Sequence, residues 1–201
     1  LVVNRGQKGD FIDFNSSKNS HQESLIQLHI DKIVNASELN LLSENISNII
    51  ETIGLVVEDF DKMRELVNKS LSQINSAEKI IKNPQEIKEF QDFLRWIQSG
   101  NFVFLGAKEF DIVNNKNNYS LVEVAGSGCG VFRSTHKDFL PEVVNSSNLE
   151  VGDSVANPYI IEVIKSRYRS KIHRSTNAER IRVQKISADG KVVGEFRFIG
   201  L

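Results

Sequence analysis

The sequence predicts an α+β fold, with antiparallel sheets and helices packed on one face. Two observations carry that prediction. The apolar residues repeat every second position near the N-terminus, every 3.6 positions between residues 39 and 97, and every second position again from residue 101 onward. Glu179 to Ile186 and Lys191 to Ile199 alternate on either side of Asp189-Gly190, the pattern of a hairpin. An antiparallel sheet with helices on one face buries both kinds of apolar stripe at once.

The elements follow in order. Leu1-Val2-Val3 and Phe11-Ile12-Asp13-Phe14 flank the turn-rich Gly6-Gln7-Lys8-Gly9-Asp10 and read as paired strands. A linker rich in Ser and Asn covers Asn15 to Ser20, and Ser24 to Asp31 then alternates, with Ile26, Leu28 and Ile30 on one face of an expected strand. Leu39, Leu42, Ile46, Ile49, Ile53, Val56 and Phe60 form a helical face, preceded by Asn35 and Glu38 as a capping pair. Phe60, Met63, Val67, Leu71 and Ile74 continue it, either as one long helix over 36–75 or as two helices meeting near Glu58-Asp59. Asn83-Pro84-Gln85-Glu86 opens a third helix with a cap, a proline at the first helical position and an acid in the first turn. Its buried stripe is Ile87, Phe90, Leu94 and Ile97, with Phe93 and Trp96 alongside, and Ser99-Gly100 ends it.

From there the pattern is β. Phe102 to Val113 and Tyr119 to Ala125 are expected to pair across the polar loop 114–118, with Gly130 to Arg133 as a short third strand. Residues 134–157 read as irregular, and Tyr159 to Lys165 joins the two strands of the final hairpin to complete the sheet. Phe196 and Phe198 should face opposite Glu195 and Arg197. Two units are expected: residues 1–80, a partial strand unit plus helices, and residues 84–201, a helix followed by an antiparallel sheet.

Composition narrows the function. The 201 residues carry a formal net charge of −1, 40% hydrophobic and 25% charged residues, the balance of an ordinary globular chain. No net charge draws it to nucleic acid or an anionic membrane. The single cysteine, Cys129, excludes an internal disulfide and fits a reducing cytoplasm. No apolar run reaches the roughly 18 residues of a membrane span. The opening Leu1-Val2-Val3-Asn4-Arg5 lacks the charged-then-apolar order of a signal peptide, and the chain stops at Gly200-Leu201 as if cut from something longer.

Few residue sets could do chemistry. Gly126-Ser127-Gly128-Cys129-Gly130 has neither the spacing nor the following helix of a phosphate loop, and reads as a turn or close-packed corner. Cys129 lacks an evident base and reads as an inert small side chain. The four histidines, His21, His29, His136 and His173, form no metal-ligand pattern, so neither a metal nor a cofactor is expected on this chain. The strongest candidate is the basic run of Lys165, Arg167, Arg169, Lys171, His173 and Arg174. In an extended chain Lys165, Arg167, Arg169 and Lys171 share one face and suit a carboxylate or phosphate. The bland reading is a charged strand edge that guards against edge-to-edge pairing. With Tyr168 as the one interleaved aromatic, the run is a poor stacking platform for nucleic acid.

Four stretches match the pattern of one known family. Glu23 to Asp31 is similar to an E-S-x-x-H-x-x-I-D strand, and Val56 to Met63 to an A-V-x-D-W-x-x-M helix with Phe60 in place of tryptophan. Phe93-Leu94-Arg95-Trp96 with Asn101 to Gly106 resembles F-L-R-W-L … F-x-F-L-G. The fourth is the K-x-x-x-R-S-x-x-H-R run with D-G-x-V-V-G-E-x-R-F-x-G-L downstream, ending at Leu201. Together these stretches resemble the N-terminal regulatory segment of the large bacterial NAD-dependent glutamate dehydrogenases, with Asn177, Arg180 and Arg182 departing from the family pattern.

The resemblance implies PAS-like or ACT-like regulatory modules and a cytoplasmic oligomeric enzyme of amino-acid catabolism, with NAD and glutamate bound far downstream. No catalytic residue is expected here. Lys165, Arg167, Arg169 and Arg174 are the candidate contacts for a small anionic effector or a neighbouring domain. The expected partners are the remainder of the chain and further subunits of a homo-oligomer, with no nucleic acid and no membrane. A free-standing sensor module of a signalling protein is the alternative.

Overall fold

Nine strands and three helices make up the described part of the chain. The structure is a computed structural model and describes residues 1–14, 20–76, 83–115, 118–133, 160–187 and 191–201. The expected irregular stretch 134–157 and the Asp189-Gly190 turn lie outside the described residues. By backbone contacts the chain forms two compact units, Leu1–Leu42 and Ser43–Leu201.

In the first unit, β1 (Val2–Arg5) sits between β2 (Phe11–Asp13) and β3 (Ser20–Gln22), antiparallel to both. The expected first hairpin is present. Gly6 N–H donates to Asp10 O (2.8 Å), and Gly9 takes a φ of 82°, which a side chain would resist. Arg5 grips Glu23 through two hydrogen bonds of 2.5 and 2.6 Å. Val3 is the buried apolar residue of this sheet.

The strand expected over Ser24 to Asp31 is not formed, and the short β3 lies just before it. Leu25, Ile26, Leu28 and Ile30 are all exposed, so among the described residues the alternation there has no apolar surface of its own unit to face.

The helices begin where their caps predict. In α1 (Ala36–Glu58) the Asn35 side-chain oxygen accepts from Ser37 N–H (3.0 Å). In α3 (Pro84–Trp96) Asn83 accepts from Gln85 N–H (3.1 Å). The long 36–75 periodicity resolves into two helices, because α1 ends at Glu58 and α2 spans Phe60–Ser76. Only part of the expected stripe turns inward. Leu42, Ile46, Ile49 and Val56 are half-buried, whereas Leu39, Ile53 and Phe60 stay exposed. Thr52, between the apolar positions, is the buried member of α1. Beyond α3 the backbone loosens into a π turn over Ile97–Asn101, and Gly100 closes it at a φ of 93°.

The second unit is organised on a six-stranded antiparallel sheet in the order β5-β4-β9-β8-β7, with β6 paired to β4 beyond the end of β5. Its strands are β4 (Phe104–Asn115), β5 (Asn118–Glu123), β6 (Cys129–Gly130), β7 (Ile161–Arg169), β8 (Asn177–Ile186) and β9 (Val192–Gly200). The third strand expected over Gly130 to Arg133 contracts to Cys129–Gly130, and Val131-Phe132 turns away. β7 runs further than expected, through Arg169, and is an outer strand.

The two sheet faces differ. Phe196, Phe198, Ile181, Val183 and Ala107 pack with Met63, Val67 and Ile74 of α2 and with Ile87 and Leu94 of α3. Burying that many large side chains at roughly 1.5–3 kcal/mol each is what holds α2 and α3 on the sheet. Glu195 and Arg197 point the other way, as their alternation predicts, yet both are buried. Near the end of the sheet, Ile49 and Val56 of α1 pack against a second cluster of Leu105, Val131, Phe132, Ile172 and Ile199.

Candidate functional site

The basic run starts on β7 and ends in the turn that leads to β8. Ser170, fully buried, fixes that turn: its hydroxyl donates to Ile172 O (2.7 Å), and its N–H donates to Thr176 O (2.9 Å). Ile172 anchors the turn in the core, and His173 takes a φ of 62°, uncommon for a residue with a side chain. The backbone presenting the cations is thus tied down at several points.

The cations separate. Lys165, Arg167, Arg169, Lys171 and Arg174 are all exposed. Lys165 is matched by Glu179 on the neighbouring strand (2.6 Å). Arg169 donates from Nε to Ser175 Oγ (3.1 Å). Only Arg169 and Lys171 reach the groove described next, and Arg174 sits past it on the turn. Of the four candidate cations Lys165, Arg167, Arg169 and Arg174, Arg169 lines the groove, beside Lys171.

The groove holds about 500 Å³ and is lined by Asn45, Asn48, Ile49 and Thr52 of α1 and by Tyr168, Arg169 and Lys171. That volume lies within the usual range for small-molecule sites. Thr52 donates to Asn48 O (2.7 Å), which spends its hydroxyl proton within the helix. Burial pushes the Tyr168 phenol up, so it stays a neutral hydroxyl. Among the described residues no carboxylate lines the groove. Asn45, Asn48 and Thr52 escaped the sequence reading, although their spacing of three, four and seven marks one helix stripe.

Other polar clusters serve the architecture. Asp59, at the joint of α1 and α2, is buried and accepts from Gly130 N–H (2.9 Å), from Arg133 Nε (2.5 Å) and Nη2 (2.7 Å), and from Lys62 Nζ (2.9 Å). Burial alone would raise its pKa. The hydrogen bonds from Arg133, Gly130 and Lys62 outweigh that and hold the carboxyl well below the usual carboxylate range. The glycine-rich loop is therefore a close-packed corner whose N–H meets the protein's own carboxylate. At Gly130 an added Cβ would stand 2.3 Å from Leu105 O. Cys129 is buried there, its Sγ donates to Ser127 O (3.3 Å), and burial pushes its thiol up, the reverse of an activated nucleophile.

Under α2, Glu109 accepts from Lys69 (2.7 Å) and Lys185 (2.5 Å), and Lys185 also holds Asp111. On the opposite face Lys108, Arg197, Arg182 and Glu162 stand directly across from one another on four strands. Arg182 pairs with Glu162 (2.9 Å), Arg197 with Glu195, and Arg197 lies 4.7 Å over the Phe110 ring. No group of three His, Cys, Asp or Glu side chains able to hold a metal occurs among the described residues. Among them, too, no helix is long and apolar enough to cross a membrane.

Fold and site together define an α+β module on an antiparallel sheet, with a cation-lined groove at one end. No protein-family model matches the chain. The sequence is 27% identical over 180 residues to the NAD-specific glutamate dehydrogenase of Halomonas elongata, which covers 90% of this chain. It is 26% identical over 206 residues to the NAD-specific glutamate dehydrogenase of Pseudomonas aeruginosa, across the whole chain. The chain spans only 11–12% of the length of these curated relatives. The resemblance read from four short motifs thus extends over nearly every residue.

Proposed function

We propose that this chain is a non-catalytic regulatory and subunit-contact part of an NAD-dependent glutamate dehydrogenase. The observation that carries this reading is similarity along 90–100% of the chain to two such enzymes of which it spans 11–12%. The parent enzyme oxidises L-glutamate with NAD and water to 2-oxoglutarate, ammonia and NADH in the cytoplasm, with NAD and substrate held outside this chain. A free-standing sensor is the less favoured reading, because both relatives are enzymes by name.

Within the parent, the chain's work is to hold the remainder of its own polypeptide and neighbouring subunits of a homo-oligomer, and to answer a small anionic effector. A PAS-like or ACT-like arrangement of helices on an antiparallel sheet suits that work. Support comes from Lys165, Arg167, Arg169 and Arg174, exposed along the outer strand β7 and the turn after it. Cations there meet an effector's carboxylate or phosphate, or an acidic protein surface. An effector acts only as far as it binds one state of the enzyme better than another.

The test is direct. The purified chain, given glutamate and NAD, is expected to form no NADH. Turnover that disappears on substitution within the chain overturns the non-catalytic reading. A parent enzyme from which residues 43–201 are removed is expected to lose assembly or effector response. Unchanged assembly, kinetics and response would overturn the regulatory reading.

A further inference from the structure

We infer that the groove between α1 and the turn after β7 is a binding site for a small dianion, with Arg169 and Lys171 holding its charge and Asn45, Asn48 and Tyr168 its remaining polar atoms. This narrows the effector part of the proposed function from a basic surface to one concavity, and it does not depend on the parent's reaction.

Four observations lead there. First, the two cations that line the groove differ in kind. Arg169 brings a planar fork and Lys171 a compact point charge. The Arg169 Nε is already committed to Ser175 Oγ at 3.1 Å, which orients the guanidinium, while among the described residues its two terminal amino groups remain available to grip paired oxygens. Second, the backbone carrying both cations is held by the Ser170 hydrogen bonds and by buried Ile172, so little ordering is needed on binding.

Third, the facing helix offers amides rather than charges. Asn45 and Asn48 are exposed on α1, and each can donate to an anion or accept from a hydroxyl or ammonium. Thr52 cannot donate, since its proton is spent on Asn48 O. Fourth, Ile49 gives the groove an apolar floor and the half-buried Tyr168 an apolar wall, and both pack on the core cluster beneath.

Two positive charges without a lining carboxylate among the described residues match a ligand of charge −2. The volume of about 500 Å³ suits a compact molecule. One aromatic wall is too little to stack a base by itself, so a short-chain dianion is favoured over a nucleotide. A dicarboxylate and a phosphate monoester share this chemistry.

Calorimetric titration of the whole chain at low ionic strength tests the assignment, with succinate, glycerol 3-phosphate and inorganic phosphate as probes and acetate as the monoanionic control. Saturable binding of at least one dianion is expected, tighter than acetate, and the tighter class identifies the ligand chemistry. Arg169→Gln should weaken it about tenfold or more, because a charged hydrogen-bond donor is lost. Lys171→Gln should weaken it too, and Asn48→Ala by roughly twofold to tenfold. Lys88→Gln, an exposed lysine of α3 outside both the groove and the basic run, should leave it unchanged. Circular dichroism on each variant separates loss of binding from loss of fold.

Absence of binding by every probe overturns the site. Binding that survives Arg169→Gln and Lys171→Gln overturns it as well. Binding lost on Lys165→Gln or Arg174→Gln but not on the groove variants would keep a basic effector surface and reject the groove. None of these results bears on the chain's being part of a dehydrogenase, which the NADH assay and the deletion decide separately.

Discussion

Two segments of this chain carry the same alternation of apolar and other residues and meet different fates. Val192 to Gly200 becomes β9, paired on both sides, with Phe196 and Phe198 fully buried beneath α2 and α3. Leu25 to Ile30 forms no strand, and its large apolar side chains are exposed. Period 2 is a statement about faces, not about partners. β9 has β4 and β8 to hydrogen-bond with and helices to cover it. Among the described residues of its own unit the earlier segment has neither, and a strand without ladder or cover gains too little to offset the entropy of ordering it.

The same lesson explains what was legible in advance. Local signals were read correctly where the chemistry is local. Asn83-Pro84 opens α3 because cap and proline act within one turn. The first hairpin forms across Gly6 and Gly9 because turn geometry is a short-range matter. Asp59 was seen only as a place where the helix bends, because its partners Gly130 and Arg133 lie 71 and 74 residues away. The groove was half legible. Arg169 and Lys171 stood out as charges, whereas the facing Asn45, Asn48 and Thr52 gain meaning only once α1 lies beside the turn. The alternation of β9 places Glu195 and Arg197 on the face opposite Phe196 and Phe198, as found, but says nothing of their being buried and paired there.

The comparison can be broken first at the buried strand. Phe198→Ala removes a fully buried ring that meets Phe104 edge-on at 6.1 Å and lies in the core with α2 and α3. The expected loss is about 3–5 kcal/mol, read from urea unfolding of the chain. A loss below about 1 kcal/mol would mean that β9 is not the centre of the core.

A comparable loss is expected at the helix joint. Asp59→Ala leaves Arg133 and the Gly130 N–H without their buried acceptor, at a cost of about 3–5 kcal/mol. The pH dependence has a definite sign. Asp59's folded pKa is depressed, so its contribution is fully present above the unfolded carboxylate value near ~4 and is lost as pH falls through the folded value. Asp59→Asn should therefore lower stability at neutral pH and flatten the acid limb of the stability curve. Parallel acid limbs in the two proteins would show that another group governs acid unfolding.

A smaller effect is expected where β9 approaches β4. A Cβ at Gly194 would stand 2.1 Å from Phe110 O, so Gly194→Ala must push the two strands apart locally. Overpacking of this kind costs about 1–3 kcal/mol, measurable as a lowered unfolding midpoint. An unchanged midpoint would mean that the strand pair has slack at this point.

The smallest effect sharpens the contrast most. Ile26→Ser and Leu28→Ser replace exposed apolar side chains in the segment that alternates without forming a strand. Substitutions at exposed positions away from caps, cores and paired charges usually stay within about 0.5 kcal/mol. Each variant of the chain should unfold at the same urea concentration as the parent chain, with the same slope. In β9 the corresponding change would disrupt a core that joins two helices to the sheet. If the serine variants instead lose more than about 1 kcal/mol, these side chains are packed in solution, and their alternation marks a working strand after all. If the slope falls as well, less surface is exposed on unfolding, and the segment belongs to the cooperative unit.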